Sequence, residues 1–149
     1  MNAFETQEYL HEHIPLSKAM AVEVLKVDSE HVCLQAPLDP NINHRETVFG
    51  GSASALAILA AWSLLHTRLR AEGMTFQLVI QRNSMEYRRP MAAEFRAEAR
   101  LVEPESWQRF LTMFQRRGKA RIRVLAVLES EGSEAGFFEG VFVALDPAH

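Results

Sequence analysis

The chain has 149 residues, 48% of them hydrophobic, and a formal net charge of -3. That is enough for one domain with a proper core, too apolar for a disordered chain, and too acidic for nucleic acid to be the main partner. The single cysteine, Cys33, excludes an internal disulfide and fits a reducing cytoplasm.

Asn2 to His13 predicts a short amphipathic helix, with Phe4 and Leu10 as its apolar contacts and Pro15 as its stop. Glu5, Glu8 and Glu12 and the lack of an apolar run argue against a signal peptide. His11 and His13 flank Glu12 at a spacing that matches no standard zinc pattern, so no metal site is expected. Met20 to Val27 alternates as a strand, Asp28-Ser29-Glu30 turns, and Val32 to Leu38 returns antiparallel. Cys33 falls in that alternation, as a packing residue more than a catalytic thiol. Pro37 and Pro40 bracket the exit into a polar loop, Asn41 to Gly51.

Ala53 to Leu65 carries no charge, and its apolar residues go all the way round a helix. The run is far short of the ~20 residues that cross a bilayer, and Arg68 and Arg70 follow it, so no membrane is expected and protein must surround it. Ala71-Glu72-Gly73 ends the helix on a glycine signal. Phe76 to Tyr87 reads as a long strand, Arg88-Arg89-Pro90 as a turn, and Glu94 to Val102 as a cleanly alternating strand. Pro104 to Gly118 opens like a helix, with Trp107, Phe110, Leu111 and Phe114 at helical spacing and read as packing. Lys119 to Ser130 and Ala135 to Leu145 are strands joined by Glu131-Gly132-Ser133. Short turns make the sheet mainly antiparallel. The pattern is an α+β domain whose curled antiparallel sheet wraps a long central helix.

Two signatures carry a family resemblance. One is the Gly-Gly step into the apolar helix, Phe49-Gly50-Gly51-Ser52; the other is Tyr87-Arg88-Arg89-Pro90 at a strand end, followed by an alternating strand. In this order and spacing the chain resembles the hot-dog fold of the thioesterase and dehydratase superfamily, over residues 18 to 146. The resemblance implies that residues 1 to 149 form one hot-dog domain, with residues 1 to 15 as an N-terminal helix. The loop positions Asn41, Asn43, Thr47, Phe49, Gly50, Gly51 and Ser52 resemble the thioesterase family typified by the C-terminal domain of YiiD-type proteins. Some members of that family are malonyl-acyl carrier protein decarboxylases. The resemblance implies a homodimer, and a substrate on acyl carrier protein or CoA that brings its own phosphopantetheine, with no resident cofactor.

A helix N-terminus offers unpaired N–H groups and the positive end of a dipole. Held donors of this kind stabilise the oxyanion or enolate of a thioester, and glycines let substrate approach the backbone. Gly50 and Gly51 are therefore the expected oxyanion donors. Hot-dog thioesterases commonly carry an Asp or Glu inside the helix, yet Ala55 to Ala61 holds none. Decarboxylation needs no such base, because the thioester carbonyl is the electron sink. Asn43 is the expected amide donor to substrate, Val48 and Phe49 an apolar wall, and His44 a proton donor to the enolate carbon. Thr47 and Ser52 orient the loop or cap the helix; Asn41 serves turn chemistry or substrate contact. Ser52 is not expected as a nucleophile, since no His–Asp partners can be identified.

Arg116, Arg117, Lys119, Arg121 and Arg123 form a basic cluster, with Arg88 and Arg89 elsewhere. It reads as a solvated strand face or as a contact, through residues such as Arg88 and Arg121, for a pantetheine phosphate or an acidic carrier protein. The first expectation is malonyl-carrier protein decarboxylation at the start of fatty acid synthesis. The alternatives are an acyl thioesterase with Glu46 as base, and a non-catalytic acyl-thioester binding module.

Overall fold

Alternating apolar residues build six strands, and an uncharged Ala- and Leu-rich run builds the helix they pack on. The computed structural model describes residues 1–149. Its strands are β1 (Glu23–Val27), β2 (Val32–Ala36), β3 (Gln77–Tyr87), β4 (Phe95–Leu101), β5 (Lys119–Ser130) and β6 (Ser133–Leu145). Its helices are α1 (Ala3–His13), α2 (Pro15–Ala19), α3 (Gly50–Ala71) and α4 (Ser106–Arg117). The strands form one sheet in the order β1-β2-β4-β5-β6-β3, every pair antiparallel. Glu131 and Gly132, both left-handed at φ 54° and 78°, make the tight β5–β6 turn whose twist suits a hairpin.

The inner face carries Leu34, Phe95, Ala97, Ala99, Val124, Ala126, Phe138 and Phe142, all fully buried. Small residues on β4 let α3 lie close across β2, β4 and β5. Leu56, Leu64, Leu65 and Leu69 of α3 are completely enclosed, each contributing roughly 1.5–3 kcal/mol by burial. The expected α+β architecture, a curled antiparallel sheet on a long helix, is the one observed. The enclosure is incomplete, however: Ala55, Ile58 and Trp62 form a half-buried stripe on successive turns of α3.

The two sheet edges differ. Edge β1 is guarded by α1, whose Gln7 Oε1 accepts the Val24 N–H at 2.9 Å and whose His11 Nε2 donates to the Val22 carbonyl at 2.8 Å. Edge β3 has β6 on one side only, and Val79 on it is 48% exposed. An open strand edge of this length is a template for pairing.

Several local expectations are corrected. Phe4 is exposed; only Leu10 anchors α1 in the core. Pro15 does more than stop α1: it occupies the first turn of α2, where its missing N–H costs nothing. Strand β2 ends at Ala36, and Asp39–Asn41 form a single 3₁₀ turn. Strand β1 starts at Glu23 and not at Met20, because the chain turns at Ala21 with φ 57°, and β6 takes in Ser133 from the expected turn. The remaining helix and strands lie within two residues of where the pattern placed them, and Trp107, Phe110, Leu111 and Phe114 of α4 are buried. Cys33 is buried, and that burial, with Glu98 nearby, pushes its thiol pKa up, which disfavours the reactive thiolate.

Candidate active site

The loop before α3 is a small closed hairpin. Ile42 and Val48 bridge antiparallel, and the Asn43 N–H donates to the Thr47 carbonyl at 2.8 Å. Asn43 organises its interior. Its Oδ1 accepts the N–H groups of Arg45 (2.8 Å) and Thr47 (3.1 Å), and its Nδ2 donates to Thr47 Oγ1 at 2.9 Å. The other Nδ2 contact, to the Val48 carbonyl, is long at 3.4 Å. Glu46 sits at φ 64°, where side chains are disfavoured, and is exposed.

The loop is pinned at both ends. The Phe49 N–H donates to the Asn41 carbonyl and the Val48 N–H to the Met91 carbonyl, each at 2.8 Å. Asn41 is only 2% exposed, and its Nδ2 donates to the carbonyls of Met20 (3.0 Å) and Pro37 (2.8 Å). This side chain ties the loop to the segment before β1.

Helix α3 then starts with no side-chain cap; Phe49 stands at the N-cap. Ser52 therefore does not cap the helix, and the orienting role expected of Thr47 is seen in its bonds to Asn43. The first N–H of α3 with an acceptor is that of Ala53, bonded to the Phe49 carbonyl at 3.0 Å. The amides of Gly50, Gly51 and Ser52 have no acceptor in the protein. They present three donors and the positive end of a 22-residue helix at one place.

Two aromatic rings frame these donors. The Tyr87 hydroxyl donates to the Gly50 carbonyl at 3.1 Å, and a Cβ on Gly50 would stand 3.4 Å from its ring. A Cβ on Gly51 would fall 2.3 Å from the Phe49 ring, so that ring lies directly on the glycine. Both rings are more than half exposed, Phe49 at 56% and Tyr87 at 58%.

Asn43, Thr47, Phe49, Gly50, Gly51 and Ser52 are thus gathered at the helix start, with His44 exposed on the loop. Val48 turns into the core. Arg88 is beyond the end of β3, near Glu86 at 3.5 Å and over the Phe137 ring. Arg121 is not part of this cluster; it lines a groove beside α4. Tyr87 was visible in the Tyr-x-Arg-Pro signature, but nothing in the sequence pointed it at Gly50.

Sequence reasoning also missed His66, in the C-terminal third of α3. Its ring is 5% exposed, packs against Tyr9, Trp62 and Phe76, and neither nitrogen has a partner. Burial, reinforced by Arg70, His13 and the N-terminal amine, lowers its pKa to about 4.

The profile of a family described as "Putative thioesterase (yiiD_Cterm)" matches residues 3–146. The chain belongs to this family. Among solved structures, a protein of unknown function from Chlorobaculum tepidum is 28% identical, with TM-score 0.90 over 97% of this chain and 94% of that one. A Shewanella oneidensis protein described as a "putative thioesterase" is 23% identical, with TM-score 0.86 over 96% of each chain. A thioesterase from Haemophilus influenzae shares 10% identity, with TM-score 0.80 over 100% of this chain and 94% of that one. The YiiD C-terminal family domain described here is a hot-dog fold, as the sequence signatures implied. No helix in it is long and apolar enough to cross a membrane.

Proposed function

We propose that the protein is an enzyme of malonyl thioesters that releases carbon dioxide and leaves an acetyl thioester, in the cytoplasm, at the start of fatty acid synthesis. The observation that carries this reading is the pairing of three unpartnered amides at the start of α3 with a helix that contains no Asp or Glu in 22 residues. The site has donors for an oxyanion and lacks the helix carboxylate that would direct water at the carbonyl.

The step balances without a protein nucleophile. The bond between the carboxylate carbon and the methylene breaks, and its electron pair forms the enolate of the thioester. The amides of Gly50 and Gly51 stabilise the enolate oxygen; one such donor is worth about 10²–10³ in rate. A proton then reaches the methylene carbon from solvent or from His44 on the exposed loop. Asn43 and Thr47 hold the loop that aims the amides. The Asn43 Nδ2 hydrogen held only by the long 3.4 Å contact to the Val48 carbonyl is the weakest-tied donor of the loop, and the one for which a substrate carboxylate competes. Phe49 and Tyr87 provide apolar cover over the reacting carbons.

The substrate is carried on acyl carrier protein or CoA, and no resident cofactor is invoked. The working unit is a homodimer, supported by the open β3 edge and the half-buried stripe of α3. Hydrolysis of acyl thioesters is the second reading. The family description and the exposed Glu46, held in the loop beside the site, favour it. Mass spectrometry of carrier-bound and CoA-bound malonyl and saturated acyl thioesters separates these readings. Acetyl thioester supports the first, free thiol the second, and tight binding without product a non-catalytic module.

A further inference from the structure

We infer that the groove between α4 and the outer face of the sheet docks an acidic amphipathic helix of a protein partner. Identifying that partner as the acyl carrier protein rests on the function proposed above; the chemistry of the groove does not.

The groove encloses about 770 Å³. Six cations line it: Arg82 from β3, Arg109 and Arg117 from α4, and Lys119, Arg121 and Arg123 from β5. Its one carboxylate, Glu103, is occupied by Arg123 at 2.6 Å. The other five cations form no ion pair, in a chain whose net charge is -3. Positive charge has been collected here and left unneutralised.

A merely solvated face would be convex and polar throughout. This one is concave, with Val102, Met113 and Val141 in its lining. Ser106, Arg109, Phe110, Met113 and Arg117 lie on successive turns of one face of α4, so the groove runs the length of that helix, about 18 Å. A free phosphate needs one or two guanidinium groups at one point. Cations spread along both walls of an apolar-floored trough suit a helix with acids on its flanks and an aliphatic stripe beneath. Met113 on that floor is exposed and adaptable.

Arg82 on the groove's rim is five residues from Tyr87 along β3, about 17 Å of strand, and by alternation faces the other side of the sheet, so a long flexible prosthetic arm seated in the groove has to pass round the end of the sheet to reach Tyr87. Electrostatic docking of this kind weakens with added salt.

The test is calorimetric titration with holo-acyl carrier protein bearing no acyl group. Arg109→Glu with Arg117→Glu is expected to weaken binding at least about 30-fold, Arg109→Gln with Arg117→Gln by an intermediate amount, and the double Lys variant by under about 3-fold. Lys18→Glu with Arg96→Glu makes the same change in net charge elsewhere and is expected to bind like the wild type. Equal losses in the two Glu doubles, or no loss in the groove double, would overturn the inference. So would a matching loss of affinity for free CoA, which would make the groove a nucleotide site. Because no thioester is present, a protein that binds through the groove yet converts no substrate keeps this inference and loses the proposed function. Turnover without groove dependence does the reverse.

Discussion

The Tyr87 hydroxyl donates to the Gly50 carbonyl at 3.1 Å, joining the end of β3 to the first residue of α3 across 37 positions of sequence. This contact sets the exposed ring beside the unpartnered amides. Tyr87→Phe keeps the ring and removes the bond. It is expected to lower the unfolding free energy by about 1 kcal/mol or less and kcat/KM by up to about 10-fold. Tyr87→Ala also removes the cover and is expected to cost more in kcat/KM than in thermal midpoint. Equal kcat/KM for wild type and both variants would remove Tyr87 from the site.

Gly51 separates activity from stability. Alanine is a better helix former than glycine by about 1 kcal/mol, but its Cβ would fall 2.3 Å from the Phe49 ring. The ring has to swing away. Gly51→Ala is therefore expected to unfold at the same temperature or higher while losing about 10-fold or more in kcat. Scanning calorimetry and steady-state kinetics on one preparation read both numbers. A variant with wild-type turnover would show that the seating of Phe49 on Gly51 has no role in catalysis.

Asn43→Ala removes the hub of the loop, including the acceptor for two N–H groups and the bond to Thr47 Oγ1. The core is untouched, so circular dichroism should report a folded protein with turnover lower by about 10² or more. Asn43→Asp keeps the acceptor and loses the Nδ2 donor, so it is expected to retain the loop and still lose the activity. Full turnover in Asn43→Asp would confine Asn43 to shaping the loop.

His66 makes stability depend on pH. Folded, its pKa is held at about 4 by burial among aromatic rings, with Arg70, His13 and the N-terminal amine adding repulsion; the ordinary value is 6.5. The unfolded chain therefore takes up a proton over a range in which the folded chain refuses it. The stability gained from a neutral His66 is complete above 6.5 and lost as pH falls through about 4. Urea midpoints should fall across that window, and less steeply in His66→Phe, which keeps an aromatic ring without a titrating nitrogen. The same slope in both proteins would assign the acid sensitivity to other groups.

Much of this fold could be read from period alone. The strict alternation of Glu94 to Val102 and Lys119 to Ser130 left only one face to bury, and the uncharged run from Ala53 to Leu65 had to be enclosed. What failed was what depends on contact between distant segments. Nothing local separates Leu10, which reaches the core, from Phe4, which does not. The burial of Asn41 depends on carbonyls of Met20 and Pro37, and the cage around His66 draws Tyr9 and Phe76 from opposite sides of α3 in sequence. The helix start was legible because Gly50-Gly51 is a local signal. Its freedom from a side-chain cap was not, since Ser52 occupies a position that looks like a cap until the helix is seen to begin at Gly50.

The central claim is that the amides at Gly50 and Gly51 stabilise an enolate formed by loss of carbon dioxide. Its most direct test is the intact mass of malonyl-acyl carrier protein after reaction with the enzyme in deuterium oxide. The account predicts acetyl-carrier protein with a single deuterium in the methyl group, taken up when the enolate is protonated. Free carrier thiol in its place, or malonyl-carrier protein recovered unchanged, would contradict it.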